Sequence, residues 1–270
     1  MSSHSLLRRV VCPTLAGLIV CAPASGVRLG AQEVVPTGGH APVPFGVGER
    51  LVYDADFNFA KVPLLRGKGQ MEVVAIDTIR GRPAYHIVFT VQGGVLGLKV
   101  DDRYDSWIDT ATLASLRHVQ KIHEVSYHRE TTYEIYPDRV VYTENGGAEK
   151  ASVANPLDDG SFVYFVRTVG IRVGEREEFE RYFKPDKNPV VLEGMLTENV
   201  RVPAGSFDAL MIHPTIQSGG IFAQKGDARI WFSRDDKRIM VQLKANMAVG
   251  SLGLYLRSYR PPTTVPAAPR

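Results

Sequence analysis

The sequence predicts an all-β fold: an antiparallel meander forming a curved sheet, half-barrel or sandwich, with one short helix near 158–169. Three observations predict it. Apolar and polar residues alternate with period two along most of the chain. Clusters of turn-forming residues fall between the alternating runs. One stretch alone switches to helical spacing.

In chain order, the first segment stands apart from that pattern. Arg8 and Arg9 are its only early charges, residues 10–22 are uncharged and mostly apolar, and Leu29-Gly30-Ala31 supplies small residues. A basic start, a short apolar core and a small-residue end make a secretory signal peptide. The apolar run falls short of the roughly 20 residues that span a bilayer, and Pro13 interrupts it. Cleavage after Ala24 competes with cleavage after Ala31; the second fits better and makes Gln32 the first mature residue. Leu18-Ile19-Val20-Cys21 resembles a lipoprotein box, but Val20 stands where a small residue is wanted. The expected location is therefore the periplasm or cell envelope, or the medium if the protein is secreted.

The leader carries much of the composition. Cys12 and Cys21 are the only cysteines, so a chain cut after Ala31 has no disulfide, thiolate metal site or cysteine nucleophile. Removing Arg8, Arg9 and Arg28 lowers Lys+Arg from 32 to 29, matching the 29 Asp+Glu. The mature chain is formally neutral, which gives no electrostatic reason for a nucleic-acid partner.

Residues 32–45, with Pro36, Gly38, Gly39, Pro42 and Pro44, read as a flexible lead-in, and 46–260 as a single β-rich domain. In the first strand Leu51, Tyr53, Ala55, Phe57 and Phe59 point one way and Asp54, Asp56 and Asn58 the other. Tyr85, Ile87, Phe89 and Val91 alternate with His86 and Thr90. Val125, Tyr127, Thr131, Tyr133 and Ile135 alternate with Ser126, His128, Glu130 and Glu134. Further strands begin at Phe207 and near Leu252. Turns fall at Arg80-Gly81-Arg82-Pro83, Asn145-Gly146-Gly147, Pro203-Ala204-Gly205 and Arg234-Asp235-Asp236-Lys237. Residues 261–270 form a disordered proline-rich tail that cannot join a sheet.

The helical stretch follows Asn155-Pro156-Leu157. Asp158 or Asp159 can cap it, Phe162, Phe165, Val166 and Val169 recur at helical spacing, and Gly170 ends it. Its aromatic face is expected to pack into the concave side of the sheet as a plug or lid.

Chemistry-bearing constellations are few. Asp101, Arg103, Asp105, Trp107 and Asp109 share one strand face, a pattern of cross-strand ion pairs rather than the converging oxygens of a calcium loop. In a hairpin turning near Glu124, His118 and His128 become neighbours, but spacing supplies no third ligand. Exposed strand histidines are the expectation, and no metal or cofactor is called for. The sequence has no Gly-x-Ser-x-Gly, phosphate loop or dinucleotide fingerprint. A serine–histidine–aspartate site would have to be dispersed, and Ser161 is explained by the helix start. The tryptophans, Trp107 and Trp231, normally fill a core. With Phe162 and Phe165 they are the candidates for lining a cavity.

Several segments together resemble the DUF3108 family of exported bacterial proteins of unknown function. They are Phe45-Gly46-Val47-Gly48-Glu49-Arg50-Leu51-Val52-Tyr53, Asp102-Arg103-Tyr104-Asp105-Ser106-Trp107, Asp158-Asp159-Gly160-Ser161-Phe162-Val163-Tyr164-Phe165-Val166-Arg167, Val202-Pro203-Ala204-Gly205-Ser206-Phe207-Asp208-Ala209, and Ile230-Trp231-Phe232-Ser233-Arg234-Asp235. The resemblance implies export and a β-rich fold, and it brings no catalytic residues. The curved sheet is also similar in outline to the half-barrel lipoprotein carriers of the periplasm, an analogy of fold alone.

The leading functional expectation is a non-enzymatic envelope protein that holds a lipid or other apolar small molecule in a β cavity. One alternative is a structural module that docks another envelope protein through an exposed apolar patch. The other is a hydrolase, which needs a cleft where a serine, a histidine and an acid converge.

Overall fold

The computed structural model describes residues 42–59, 62–95, 98–124, 127–216, 227–247 and 250–263. These belong to one unit of the chain, Gly38–Arg270. The expected signal peptide, most of the expected lead-in and residues 264–270 lie outside the described residues.

Among the described residues, fourteen strands make one sheet. Eight come before residue 152: β1 (Arg50–Phe59), β2 (Val62–Ile79), β3 (Arg82–Val95), β4 (Leu98–Asp109), β5 (Ser115–Glu124), β6 (Tyr127–Tyr136), β7 (Val141–Glu144) and β8 (Lys150–Ala151). Six come after residue 175: β9 (Arg176–Phe179), β10 (Val190–Val202), β11 (Gly205–Thr215), β12 (Arg229–Ser233), β13 (Met240–Met247) and β14 (Gly250–Arg260). The order is β8-β7-β6-β5-β4-β3-β2-β1-β14-β13-β12-β11-β10-β9. Two antiparallel meanders therefore meet at one seam, where β1 pairs with β14 from Arg50 opposite Arg260 to Asn58 opposite Ser251. The sheet is open and curved, with β8 and β9 as its edges. Among the expected forms it is the half-barrel rather than the two-layered sandwich.

Local chemistry explains the elements. In β1, Leu51, Tyr53 and Ala55 are buried while Asp54 and Asp56 remain partly exposed, because alternate side chains leave opposite faces of a strand. Arg80 and Gly81 both take positive φ, 49° and 81°, as do Asn145 and Gly146 at 51° and 69°. Two such residues match the twist of a tight hairpin. They join β2 to β3 and β7 to β8.

The inner face of the sheet carries one large core, including Tyr53, Ile87, Ile135, Leu192, Ile230 and Leu254. A smaller cluster of Ile79, Ala84 and Leu116, with Trp107 packed against it, sits apart on the outer face. It forms where β4 and β5 shift register between Trp107 and Ile108.

α1 spans Asp159–Val166, and Gly160 through Val166 are all buried. A short helix buried on every side is a plug, not a lid. It packs against β3 and β4. Tyr164 meets Phe45 edge-on at 4.9 Å, and Phe162 is 0% exposed. The helix ends before the expected 169, because Arg167 turns into the core to meet Glu49.

Two expectations about histidines are corrected. The β5–β6 register pairs His118 with Tyr133 and His123 with His128, so His118 and His128 are not neighbours. Nor is His118 an exposed strand residue: it is 0% exposed, on the inner face beneath the start of α1.

Candidate functional site

The start of α1 is held by a buried polar network. Asp158 Oδ1 accepts from the backbone N–H groups of Gly160 and Ser161, at 2.8 and 2.9 Å. The Ser161 hydroxyl in turn accepts from the Asp158 N–H at 2.8 Å. This reciprocal capping box satisfies donors that the first helical turn leaves free. Ser106 Oγ on β4 also donates to Asp158 Oδ1, at 2.6 Å. Ser115 on β5 lies 2.9 Å from Ser161, hydroxyl to hydroxyl. Asp159 is bound by Gln120 and by the Tyr182 hydroxyl, both at 2.9 Å.

His118 stands beside this cap, with Nδ1 3.1 Å from both Ser106 Oγ and the Asp105 carbonyl oxygen. Gln120 Nε2 lies 3.0 Å from His118 Nε2. With Gln120 donating there, the hydrogen-bond network assigns the imidazole proton to Nδ1. A serine triad needs an imidazole nitrogen free to take the serine proton. Here both nitrogens are committed, and Ser106 gives its proton to Asp158. Ser106, His118 and Asp158 are each 0% exposed. A serine, a histidine and an acid do converge, but as a helix cap without a cleft.

The other end of α1 opens on a cleft. Arg167 forms a two-pronged ion pair with Glu49, at 2.7 and 2.8 Å, and donates to the carbonyls of Pro44 and Lys237. That clamp fixes the last helical turn against the start of β1 and the β12–β13 turn. The chain then runs through Val169 and Ile171 to Gly174, where Gly174 N donates to the Gly194 carbonyl on β10 at 2.7 Å. Gly194 is required there, since a Cβ would overlap the Arg172 carbonyl oxygen. Between this strap and the inner face of β10–β12 lies a cleft of about 510 Å³. Its apolar lining includes Val166, Val169, Ile171, Leu210, Ile212 and Phe232.

The cleft rim is set by the β12–β13 turn. Ser233 Oγ donates to Asp235 at 2.6 Å and accepts from the Ile239 N–H at 3.0 Å. Arg238 N donates to the Asp235 carbonyl at 3.1 Å. These bonds hold Arg238 at φ 44°, a conformation that non-glycine residues seldom adopt. Its guanidinium lies near the carbonyls of Arg167 and Val169, at 3.2 and 3.5 Å.

A profile of the family described as "Protein of unknown function (DUF3108)" matches residues 52–257. The chain belongs to the DUF3108 family. No curated relative matches this DUF3108 protein. Among solved structures it is similar to a β-barrel-like protein of the DUF1849 family from Brucella abortus. That pair has a TM-score of 0.51 and 12% identity, covering 83% of this chain and 99% of the other. A candidate lipoprotein from Parabacteroides distasonis covers 82% of this chain and 99% of its own, at 15% identity and a TM-score of 0.34. A candidate exported protein with a YmcC-like fold from Bacteroides fragilis covers 81% and 98%, at 12% identity and a TM-score of 0.36.

The four aromatic residues singled out in the DUF3108 sequence do not come together. Trp107 lies on the outer face, stacked on His86 at 4.2 Å, with its indole N–H on Asp77 at 2.7 Å. Trp231 is buried, 5% exposed, and donates to Glu198 at 2.6 Å. It lines a separate cleft of about 370 Å³ with Lys244 and Tyr255. Phe162 is in the core, and Phe165 packs edge-on against Phe179 with Arg181 over its ring. The acidic strand face is a surface of ion pairs and hydrogen bonds: Asp105 pairs with Arg103 and lies 2.8 Å from His86 Nε2, and Asp109 pairs with Arg82. Among the described residues no group of three His, Cys, Asp or Glu could hold a metal ion. Sequence reasoning missed the cleft arginines, because Arg234 read only as the start of a turn ending at Lys237 and nothing in the pattern singled out Arg238.

Proposed function

We propose that this DUF3108 protein is an exported, non-enzymatic envelope protein that holds an apolar ligand in the cleft between the end of α1 and β10–β12. The carrying observation is that cleft's apolar floor, in a volume within the roughly 300–1,000 Å³ usual for small-molecule sites. The buried serine–histidine–aspartate cluster supports binding over hydrolysis, since no substrate reaches it. Export rests on residues 1–31. N-terminal sequencing of the protein from a cell-envelope fraction tests it and is expected to begin at Gln32.

The ligand test is titration of the purified mature protein with a neutral hydrophobic fluorophore such as N-phenyl-1-naphthylamine, together with solvent extraction and mass spectrometry. Saturable binding that Leu210→Trp abolishes is expected, because the larger ring fills the cleft. An empty extract with no saturable binding overturns the reading.

A further inference from the structure

The charges around the cleft are one-sided. Its lining contains Arg167, Arg172, Arg234 and Arg238 and no aspartate or glutamate. Two other clefts among the described residues are balanced. The one beside Trp231 pairs Asp56 and Asp227 with Arg229 and Lys244, and the one beside Pro203 pairs Asp54 and Asp56 with Arg66 and Arg257. A formally neutral mature chain thus concentrates one sign of charge at this mouth.

The four arginines differ in what already occupies them. Arg167 is buried and spent on Glu49. Arg172 lies 3.6 Å from Glu175, and Arg234 lies 2.7 Å from Asp208; both are exposed. Arg238 is exposed too, and among the described residues it has no carboxylate within ion-pair distance. Its contacts are the two long ones to backbone carbonyls. It also keeps a left-handed backbone at φ 44°, where asparagine or glycine would sit with less strain. Backbone strain at the mouth of a cleft is a pointer to function. Depth and charge are also ordered: Val166, Ile212 and Phe232 on the floor are at most 4% exposed, while the cations stand at the rim.

Resting on the proposed apolar-ligand reading, we infer that the ligand is a single-chain amphiphile with an anionic head, its chain on the Val166–Ile212–Phe232 floor and its carboxylate or phosphate on Arg238. Arg234 and Arg172 add long-range attraction, and the planar guanidinium of Arg238 supplies the two-pronged contact that such heads accept.

The test compares cis-parinaric acid with its methyl ester, which keeps the chain and removes the charge, using N-phenyl-1-naphthylamine as control. The acid is expected to bind at least about tenfold tighter than the ester at low salt, with the difference shrinking as salt rises. Arg238→Asn tolerates the left-handed backbone and removes the cation. It is expected to lower affinity for the acid about tenfold and leave the ester unchanged. Arg234→Gln, on the surface, is expected to give a smaller loss in the same direction. Equal binding of acid and ester, or an unchanged acid affinity in Arg238→Asn, overturns the anionic-head inference while the apolar reading stands. If neither parinaric probe nor the naphthylamine binds, the apolar reading itself fails and this inference with it. Alkyl phosphate displacing the bound acid more strongly than a fatty acid of equal length identifies the head as phosphate; the reverse identifies a carboxylate.

Discussion

Arg167 and Glu49, 118 residues apart, face each other as a fully buried two-pronged ion pair. Both side chains are at most 1% exposed, and Tyr259 adds its hydroxyl to Glu49 at 3.3 Å. Burial and the neighbouring Glu49 charge push the Tyr259 hydroxyl up to about 12, so it stays a donor at any ordinary pH. Removing one member strands the other charge in the core. Glu49→Gln is expected to cost about 3–5 kcal/mol in urea unfolding. The double variant Glu49→Leu with Arg167→Met is expected to recover much of that loss. Additive losses in the double variant show that the pair is not a unit.

The cap of α1 makes a second prediction. Asp158→Ala removes a helix cap, worth ~0.5–2 kcal/mol, and leaves the buried Ser106 hydroxyl without its acceptor, a further ~1–3 kcal/mol. Urea unfolding checks the sum, and Ser106→Ala in the same background is expected to recover part of it. Ser106→Ala alone is expected to leave any esterase activity of a preparation unchanged, because the Ser106 hydroxyl is 0% exposed and donates to Asp158.

Acid sensitivity is set on the outer face. Burial is the largest influence on Asp105 and opposes its ionisation, yet bonds from His86 and Arg103 together outweigh it and hold the carboxyl below the usual range. Asp109 is buried too, but bonds from the Ala111 and Thr112 N–H groups and from Arg82 bring it down likewise. Both folded values are depressed, so this stabilisation is complete above the ordinary carboxylate range and drains away as pH falls from about 4 toward each folded value. Asp105→Asn is expected to be less stable than the parent at neutral pH and to lose less on acidification. Urea midpoints at pH 7, 5, 4 and 3 check it, and parallel curves for parent and variant contradict the assignment.

Gly194 governs the cleft wall. A methyl there meets the backbone of Arg172, which cannot move aside as a side chain can. Gly194→Ala is expected to cost ~1–3 kcal/mol. It is also expected to weaken naphthylamine binding by displacing the strap between Ile171 and Glu175. A variant that binds like the parent shows that the strap does not shape the site.

What the sequence revealed follows the range of the interaction. Alternation in β1 and β3, the hairpin turns at Arg80-Gly81 and Asn145-Gly146, and the Asp158 cap depend on neighbours a few residues away, and all were legible. His118 was misjudged because its surroundings come from Asp105 on β4 and the start of α1, neither on its own strand. Trp107 faces outward because β4 stays in alternation while β5 bulges beside it, and bulges leave no pattern in hydrophobicity. The cleft was hidden most deeply. Its walls are drawn from residues 166–173, 197, 210–212 and 232–238, which only the folded sheet makes adjacent.

The seam between β1 and β14 has a kinetic consequence. Each meander can zip up strand by strand from hairpins between consecutive strands, but the seam joins Arg50 to Arg260. The first strand therefore waits, with one side unpaired, until the last strand has been delivered. Closing so long a loop is slow, and an unpaired strand edge is a template for aggregation in the meantime. A chain cut before Gly250, and so without β14, keeps nearly all of its hairpins and still cannot join its two meanders.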